Sequence, residues 1–225
     1  GQRSLDTNKL EIGYNGRTYK GLFHCIVFPL RDKSNKITSF YGRSTVNETD
    51  SKHFYLKEST GLYPRYPNPN TEKLIIAESI IDTASLIQSL ESEATENRKL
   101  NTEYSFLASY GTNRLNDEIK TAIQELTNLT EIIFAFDNDE AGNKGIVKYS
   151  NELKALLPQV KFTKLELPEG FKDVNEVSQA HEKEVFIHLL ENRKPVISIQ
   201  SSVISFQEKS IESSFSTEKK ETENP

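Results

Sequence analysis

The chain has 225 residues, with 28 Lys+Arg against 33 Asp+Glu, a net charge of −5, one cysteine and neither methionine nor tryptophan. That length can bury a sizeable core as one large domain or two small ones. The lone Cys25 excludes an internal disulfide and a cysteine-rich zinc site, and every apolar run is far shorter than the roughly 20 residues of a membrane span. A cytoplasmic protein is expected, and a chain that opens on Gly1 without a methionine is expected to be a piece of a longer one.

The charge is unevenly placed. Residues 1–70 carry 11 basic against 6 acidic side chains, whereas 71–225 carry 17 against 27. A basic block beside an acidic one suits a phosphate-rich polymer on one side and metal-binding carboxylates on the other, although plain solvated charge has the same composition.

In chain order, "KGLFHCIVFPLRDKSNKITSFYGRST" (20–45) predicts two strands around a polar turn at "RDKSNK", with Cys25 as a small core hydrophobe. "STGLYPRYPNPNTEK" (59–73), rich in Pro, Asn and Tyr, predicts a long loop or linker. From there strands and helices alternate: strand 73–78, helix 79–93, strand 103–109, helix 116–128, strand 131–136, helix 141–157 stopped by Pro158, and strand 160–167. The alternation predicts an α/β fold, a parallel sheet with helices on both faces, preceded by a small, basic, strand-rich subdomain. Domain boundaries follow at 1–70, 71–180, a helical extension over 181–195 and a Ser/Glu/Lys-rich tail over 196–225.

Ligands of such sheets bind at the carboxyl ends of the strands. "EIIFAFDNDEAGNKG" (131–145) puts Asp137 and Asp139 at such an end, two residues apart and so on one side of an extended chain. Paired carboxylates repel, and a hard divalent ion offsets the repulsion. Turn and N-cap chemistry is the alternative reading of "DNDEAG". Glu78 ends the first strand of the alternating series as Asp137 ends the third, and Asp82 follows one helical turn later on the same side. Three or four carboxylates on one sheet edge point to metal-assisted chemistry on phosphates. "SYGTNRL" places Gly111, Thr112 and Arg114 after the second strand of that series, where backbone N–H groups could hold a phosphate.

"LIIAESIIDTASL", "FLASYGT" and "IIFAFDNDEAG", in that order, resemble the Toprim domain shared by DnaG-type primases, topoisomerases and some nucleases. The flanking "IVFPLRD", "SFYGR", "KHFYLKESTGLYP" and "LPEGFKDVNEV" are similar to segments of the primase RNA-polymerase domain, so that over about 20–180 the chain resembles a DnaG-type primase, whether chromosomal or borne by a phage or mobile element. The resemblance implies that Glu78, Asp137 and Asp139 are catalytic and bind two Mg²⁺ or Mn²⁺ ions, with Asp82 and Asp173 at further acidic positions. Arg31 and Arg43 match positions that contact nucleotide or template, and Lys52 or Lys57 corresponds to a lysine of the segment after them. The sequence departs from the family at Ser79, where glycine is usual, and at Asn175, where an aspartate is usual. The implied activity is RNA primer synthesis on single-stranded DNA from ribonucleoside triphosphates, with a replicative helicase as partner through regions beyond this chain. Phosphodiester cleavage by a Toprim nuclease or topoisomerase, and a catalytically silent nucleic-acid-binding module, are the alternatives. Tyr55, Tyr63 and Tyr66 are candidates to stack bases, with loop packing as the plain alternative.

Overall fold

The computed structural model describes residues 5–46, 52–90, 104–110 and 115–196. Its first sheet is antiparallel, in the order β1 (Gly13–Asn15), β2 (Cys25–Arg31), β3 (Ile37–Ser44) and β4 (His53–Tyr55). The β2–β3 turn falls where "RDKSNK" predicted it. Asp32 Oδ1 accepts from the backbone N–H of Ser34 at 2.8 Å and of Lys36 at 3.0 Å, and Asn35 takes the left-handed backbone (φ 61°) that Asn tolerates. β1 and β4 were not apparent in the sequence. At three residues each they are too short for an alternation to register, and pairing with the longer strands defines them.

The second sheet runs in the order β6 (Tyr104–Ala108), β5 (Lys73–Ala77), β7 (Glu131–Ala135), β8 (Lys161–Lys164) and β9 (Lys194–Pro195). The first four are parallel to their neighbours and β9 is antiparallel to β8. Helices α1 (Ile80–Leu90), α2 (Asp117–Gln124) and α3 (Glu140–Leu156) form the crossovers, and α4 (Val174–Ala180) and α5 (Glu184–Glu191) follow β8. Among the described residues, no helix is long and apolar enough to cross a membrane.

The pleat sorts the strands into two cores. Leu74 and Ile76 of β5 and Ile132 and Phe134 of β7 pack with Ile119, Ile123, Ile146, Tyr149 and Leu153 of α2 and α3. Their alternates, Ile75, Ala77, Ile133 and Ala135, share a core with Ala84 and Ile87 of α1, Val177 of α4, Phe186 of α5 and Phe28, Leu30 and Tyr41 of the first sheet. Burial on both faces explains why "KLIIA" and "EIIFA" read as continuous apolar runs. The 59–73 segment crosses between the sheets as an irregular connection: Leu62 bridges Arg31, and the Tyr63 carbonyl accepts from Ala108 N at 3.1 Å.

The expected strand over 160–167 is shorter, β8 ending at Lys164, and the expected 181–195 helical extension contains α5 but returns to the sheet as β9. One ion pair accounts for that return. Glu131, only 4 % exposed, accepts from Arg193 at 2.7 and 2.6 Å and from Thr163 Oγ1 at 2.8 Å, so the residue before β9 is held against the start of β7.

Candidate active site

In the parallel register Ala77 stands beside Ala135, so both strands end level and release Glu78 and Asp137 at the same edge. The two residues meet there: Asp137 N donates to Glu78 Oε2 at 3.2 Å. Beyond Asp137 the chain turns sharply into α3. Asp139 is the N-cap and accepts from Gly142 N at 2.8 Å, so the turn reading of "DNDEAG" also holds. Glycine is required at 142 by proximity. A methyl there would lie far inside contact with the Asp137 carbonyl oxygen, and 3.1 and 3.2 Å from its C and N atoms.

On the other side of Glu78, Ser79 immediately precedes α1. Its Oγ accepts from Asp82 N at 3.1 Å, capping the helix, and donates to Asp82 Oδ2 at 2.5 Å. Asp82 Oδ1 accepts from Asn175 N at 3.1 Å and so ties α1 to α4. The departure at Ser79 therefore has a local use, and Ser79 is not among the positive-φ residues. Asn175 is committed elsewhere, its Oδ1 accepting from Ser85 Oγ at 3.2 Å. Asp173 caps α4 through Glu176 N at 2.8 Å.

Glu78, Asp82, Asp137 and Asp173 line one cleft of about 580 Å³, together with Ser79, Lys172 and Asn175. The opposite wall comes from the first sheet: Tyr41 and Arg43 of β3, and His53 and Tyr55 of β4, with Tyr110 beside them. These four positions share a face because Tyr41 opposes Tyr55 and Arg43 opposes His53 in the ladder.

The cleft holds more negative charge than it balances. Burial, then the Asp137 carboxylate, pushes the Glu78 carboxyl up to about 7, although the Asp137 N–H opposes this. Asp82, 5 % exposed, is pushed up to about 7 by burial and by the charges of Asp173 and Asp137, against the pull of its Ser79 bond. Asp137 is also raised, by burial and then by Asp173, with Lys172 Nζ at 3.6 Å from its Oδ2 opposing. Hard oxygen donors at raised pKa suit a hard divalent cation, which supplies the missing positive charge. Among the described residues no three His, Cys, Asp or Glu side chains close into a cage. A cation here would therefore take one or two carboxylates, Glu78 and Asp137 being the adjacent pair, and complete its shell with water or phosphate oxygens, as Mg²⁺ does.

The sequence-derived residues thus divide. Glu78, Asp82, Asp137, Asp173 and Arg43 come together, whereas Asp139 caps α3 and contributes charge without lining the cleft. Arg31 does not line the cleft. It is 9 % exposed, with Nη2 2.8 Å from Glu11 Oε2 and Nη1 donating to Asn35 O at 2.8 Å, at the end of β2 where its backbone is bridged by Leu62. Lys52 and Lys57 are exposed and absent from the cleft wall. Gly111, Thr112 and Arg114 lie outside the described residues. Of the tyrosines, Tyr55 reaches the cleft; Tyr63 is buried edge-on against Phe28, and Tyr66 donates to Glu118 at 2.7 Å. Sequence reasoning missed His53, Tyr41, Tyr110 and Lys172. The signal for His53 was pairing opposite Arg43, which is visible only once β4 is known to be a strand.

Residues 75–178 match the family model described as Toprim-like. The chain is 25 % identical over 210 residues to the DNA primase of Escherichia coli K12, covering 87 % of this chain but 32 % of that protein, so it spans about a third of its relative's length. In fold it is similar to a DnaG primase catalytic domain bound to ssDNA (TM-score 0.57, 24 % identity, covering 82 % of this chain and 56 % of that one). It is likewise similar to a DNA primase domain from Pseudomonas aeruginosa (TM-score 0.58, 23 % identity, 83 % and 57 %). The parallel sheet with its carboxylate edge is thus Toprim-like. With the small antiparallel sheet packed before it, the chain is similar to the catalytic core of DnaG-type primases.

Proposed function

We propose that the chain is the catalytic part of a DNA primase, joining ribonucleotides on a single-stranded DNA template by metal-dependent nucleotidyl transfer. The observation that carries this reading is the cleft itself, in which a carboxylate edge of the Toprim sheet faces an arginine and aromatic wall from the preceding sheet. In this reaction a 3′-hydroxyl attacks the α-phosphate of a ribonucleoside triphosphate and pyrophosphate departs. Mg²⁺ or Mn²⁺ at Glu78 and Asp137 would supply charge stabilisation to the reacting oxygens. Glu78 serves either as that ligand or, where Asp137 holds the cation without it, as the base that takes the hydroxyl proton. Asp139 fixes the turn that presents Asp137, and Asp82 and Asp173 add to the field that draws in the cation. Arg43 donates to phosphate oxygens, and Tyr55 offers a ring face to a base. Lys52 and Lys57 would extend contacts with the strand outside the cleft, Gly111, Thr112 and Arg114 keep the phosphate-binding role that the sequence implies, and a replicative helicase would engage regions beyond this chain.

Cleavage by a Toprim nuclease uses the same carboxylates but gives no role to the first sheet's wall. The two are separated by incubating the protein with a short single-stranded DNA, ribonucleoside triphosphates and Mg²⁺ or Mn²⁺, and resolving the products. Metal-dependent RNA that disappears in Asp137→Asn supports synthesis; shortened DNA that disappears in the same variant would establish the nuclease instead.

A further inference from the structure

On the first sheet's side of the cleft, three side chains form one hydrogen-bonded row. Tyr41 Oη lies 2.8 Å from His53 Nδ1, and Arg43 Nη1 lies 2.5 Å from His53 Nε2. A guanidinium only donates, so Nε2 must be the acceptor and the ring proton must sit on Nδ1, donated to Tyr41 Oη. The row therefore has one consistent arrangement: neutral His53 in the Nδ1–H form, bridging a buried phenol and a cleft arginine. Its surroundings favour that form. Burial and then the positive charges of Arg43 and Lys52 hold the His53 pKa below its ordinary value. Tyr41 is 1 % exposed and fixed by rings on two sides, Phe28 at 5.7 Å and Tyr55 at 5.1 Å, so it is a rigid anchor.

Arg43 is the half-buried, cleft-facing end of the row. It lines the cleft, and among the described residues no carboxylate pairs with it, in contrast to Arg31 and Arg193. An arginine left to itself on a strand would sample several rotamers, and fixing it at binding would weaken binding. A neutral acceptor on the facing strand removes much of that ordering cost without neutralising the charge, as a carboxylate partner would. We infer that His53 is a positioning residue, which through Tyr41 holds the Arg43 guanidinium against the cleft wall with its remaining N–H groups ready for phosphate oxygens of the bound ligand. The inference rests on the nucleotidyl-transfer reading of the cleft. Phosphate oxygens are common to a ribonucleoside triphosphate and to the DNA strand, and the measurement separates them.

The test is equilibrium binding to the whole chain with Mg²⁺, in two arms: a fluorescent ribonucleoside triphosphate and a labelled single-stranded oligonucleotide. Proteins compared are wild type, His53→Ala, His53→Gln, Tyr41→Phe and Arg43→Ala, each checked for unchanged thermal unfolding. Losing a charge-assisted contact predicts that Arg43→Ala weakens binding in one arm by about 10- to 100-fold. His53→Ala should weaken the same arm by about 3- to 10-fold, since the cation stays but its ordering is lost. Gln offers an oxygen near the place of Nε2, so His53→Gln should recover most of that loss, with Tyr41→Phe falling between. In the synthesis assay the His53→Ala defect should lie in KM, with kcat changed by less than about threefold. Wild type that binds neither ligand sinks the reading of the cleft and this inference with it. Wild type that binds, alongside His53→Ala unchanged or His53→Gln as poor as His53→Ala, overturns the inference alone.

Discussion

Gly142→Ala tests how the Asp137 carboxylate is placed. Gly142 sits in the first turn of α3, donating to Asp139 while its Cα faces the Asp137 backbone. A methyl at this position would overlap the Asp137 carbonyl oxygen and press on its C and N at 3.1 and 3.2 Å, against a comfortable separation of about 3.5–4.0 Å. Helix propensity favours Ala over Gly by at most about 1 kcal/mol. The obstruction is backbone, which has no rotamer to yield, so the cost lies at or above the upper end of the usual 1–3 kcal/mol for overpacking, roughly. The clash wins by about 2 kcal/mol, a fall in Tm of roughly 4–8 °C for a protein of this size. Relief requires the Asp137 backbone or the start of α3 to shift, which disturbs the turn that presents Asp137 beside Glu78, so Mn²⁺ affinity measured calorimetrically should fall by about tenfold, a change of about 1.4 kcal/mol. Gly13→Ala is the control: nothing lies within 4 Å of the added methyl, and stability should stay within about 0.5 kcal/mol. Gly142→Ala that unfolds at the wild-type temperature and binds Mn²⁺ normally would refute the close-approach account.

Metal-free stability should fall as pH rises from about 4 to 7, because Glu78 and Asp82 keep protons in the folded state up to about 7 that the unfolded chain has already released. Each group contributes on the order of 2 kcal/mol to that fall, and Mg²⁺ at pH 8 should restore part of it, as thermal unfolding with and without the ion will show. Asp82→Asn keeps both hydrogen bonds, since an amide can accept from Asn175 N and donate to Ser79 Oγ; it should raise metal-free stability at pH 8 but not at pH 4. Arg193→Ala strands the buried Glu131 carboxylate and should cost about 3–5 kcal/mol in urea unfolding at pH 7. Burial pushes Glu131 up, but the Arg193 and Thr163 bonds outweigh it and the net pKa is lowered, so the pair's contribution is present above the ordinary carboxylate range and lost as pH falls through the lowered value. Arg31→Met removes an internal ion pair, so it should lower stability while leaving nucleotide binding within about twofold of wild type.

The elements that could be read in the sequence are those whose pattern is local. "KLIIA", "EIIFA" and the helix that follows Asp139 have buried faces that repeat within one segment, and the carboxylates Glu78 and Asp137 mark strand ends directly. What stayed hidden depends on pairing over distance. His53 gains meaning only opposite Arg43, and Lys172 only once the chain after β8 returns to Asp137, where its carbonyl accepts from Asn138 N at 2.7 Å. Arg31 and Arg43 look alike as basic residues ending apolar strands. The structure separates them by a partner, Glu11, that lies 20 residues upstream of Arg31. Asp139 carries both of its readings at once, a cap by its bonds and an acid by its field.

The central claim is that the Glu78–Asp137 edge holds a divalent cation that in turn holds a triphosphate. Paramagnetic titration with Mn²⁺, with and without a ribonucleoside triphosphate, tests it most directly in wild type beside Glu78→Gln plus Asp137→Asn. The account predicts Mn²⁺ binding to wild type that tightens with the triphosphate, releases protons near pH 7 and is lost in the double variant. Equal Mn²⁺ binding by the two proteins, or binding indifferent to the triphosphate, would contradict it.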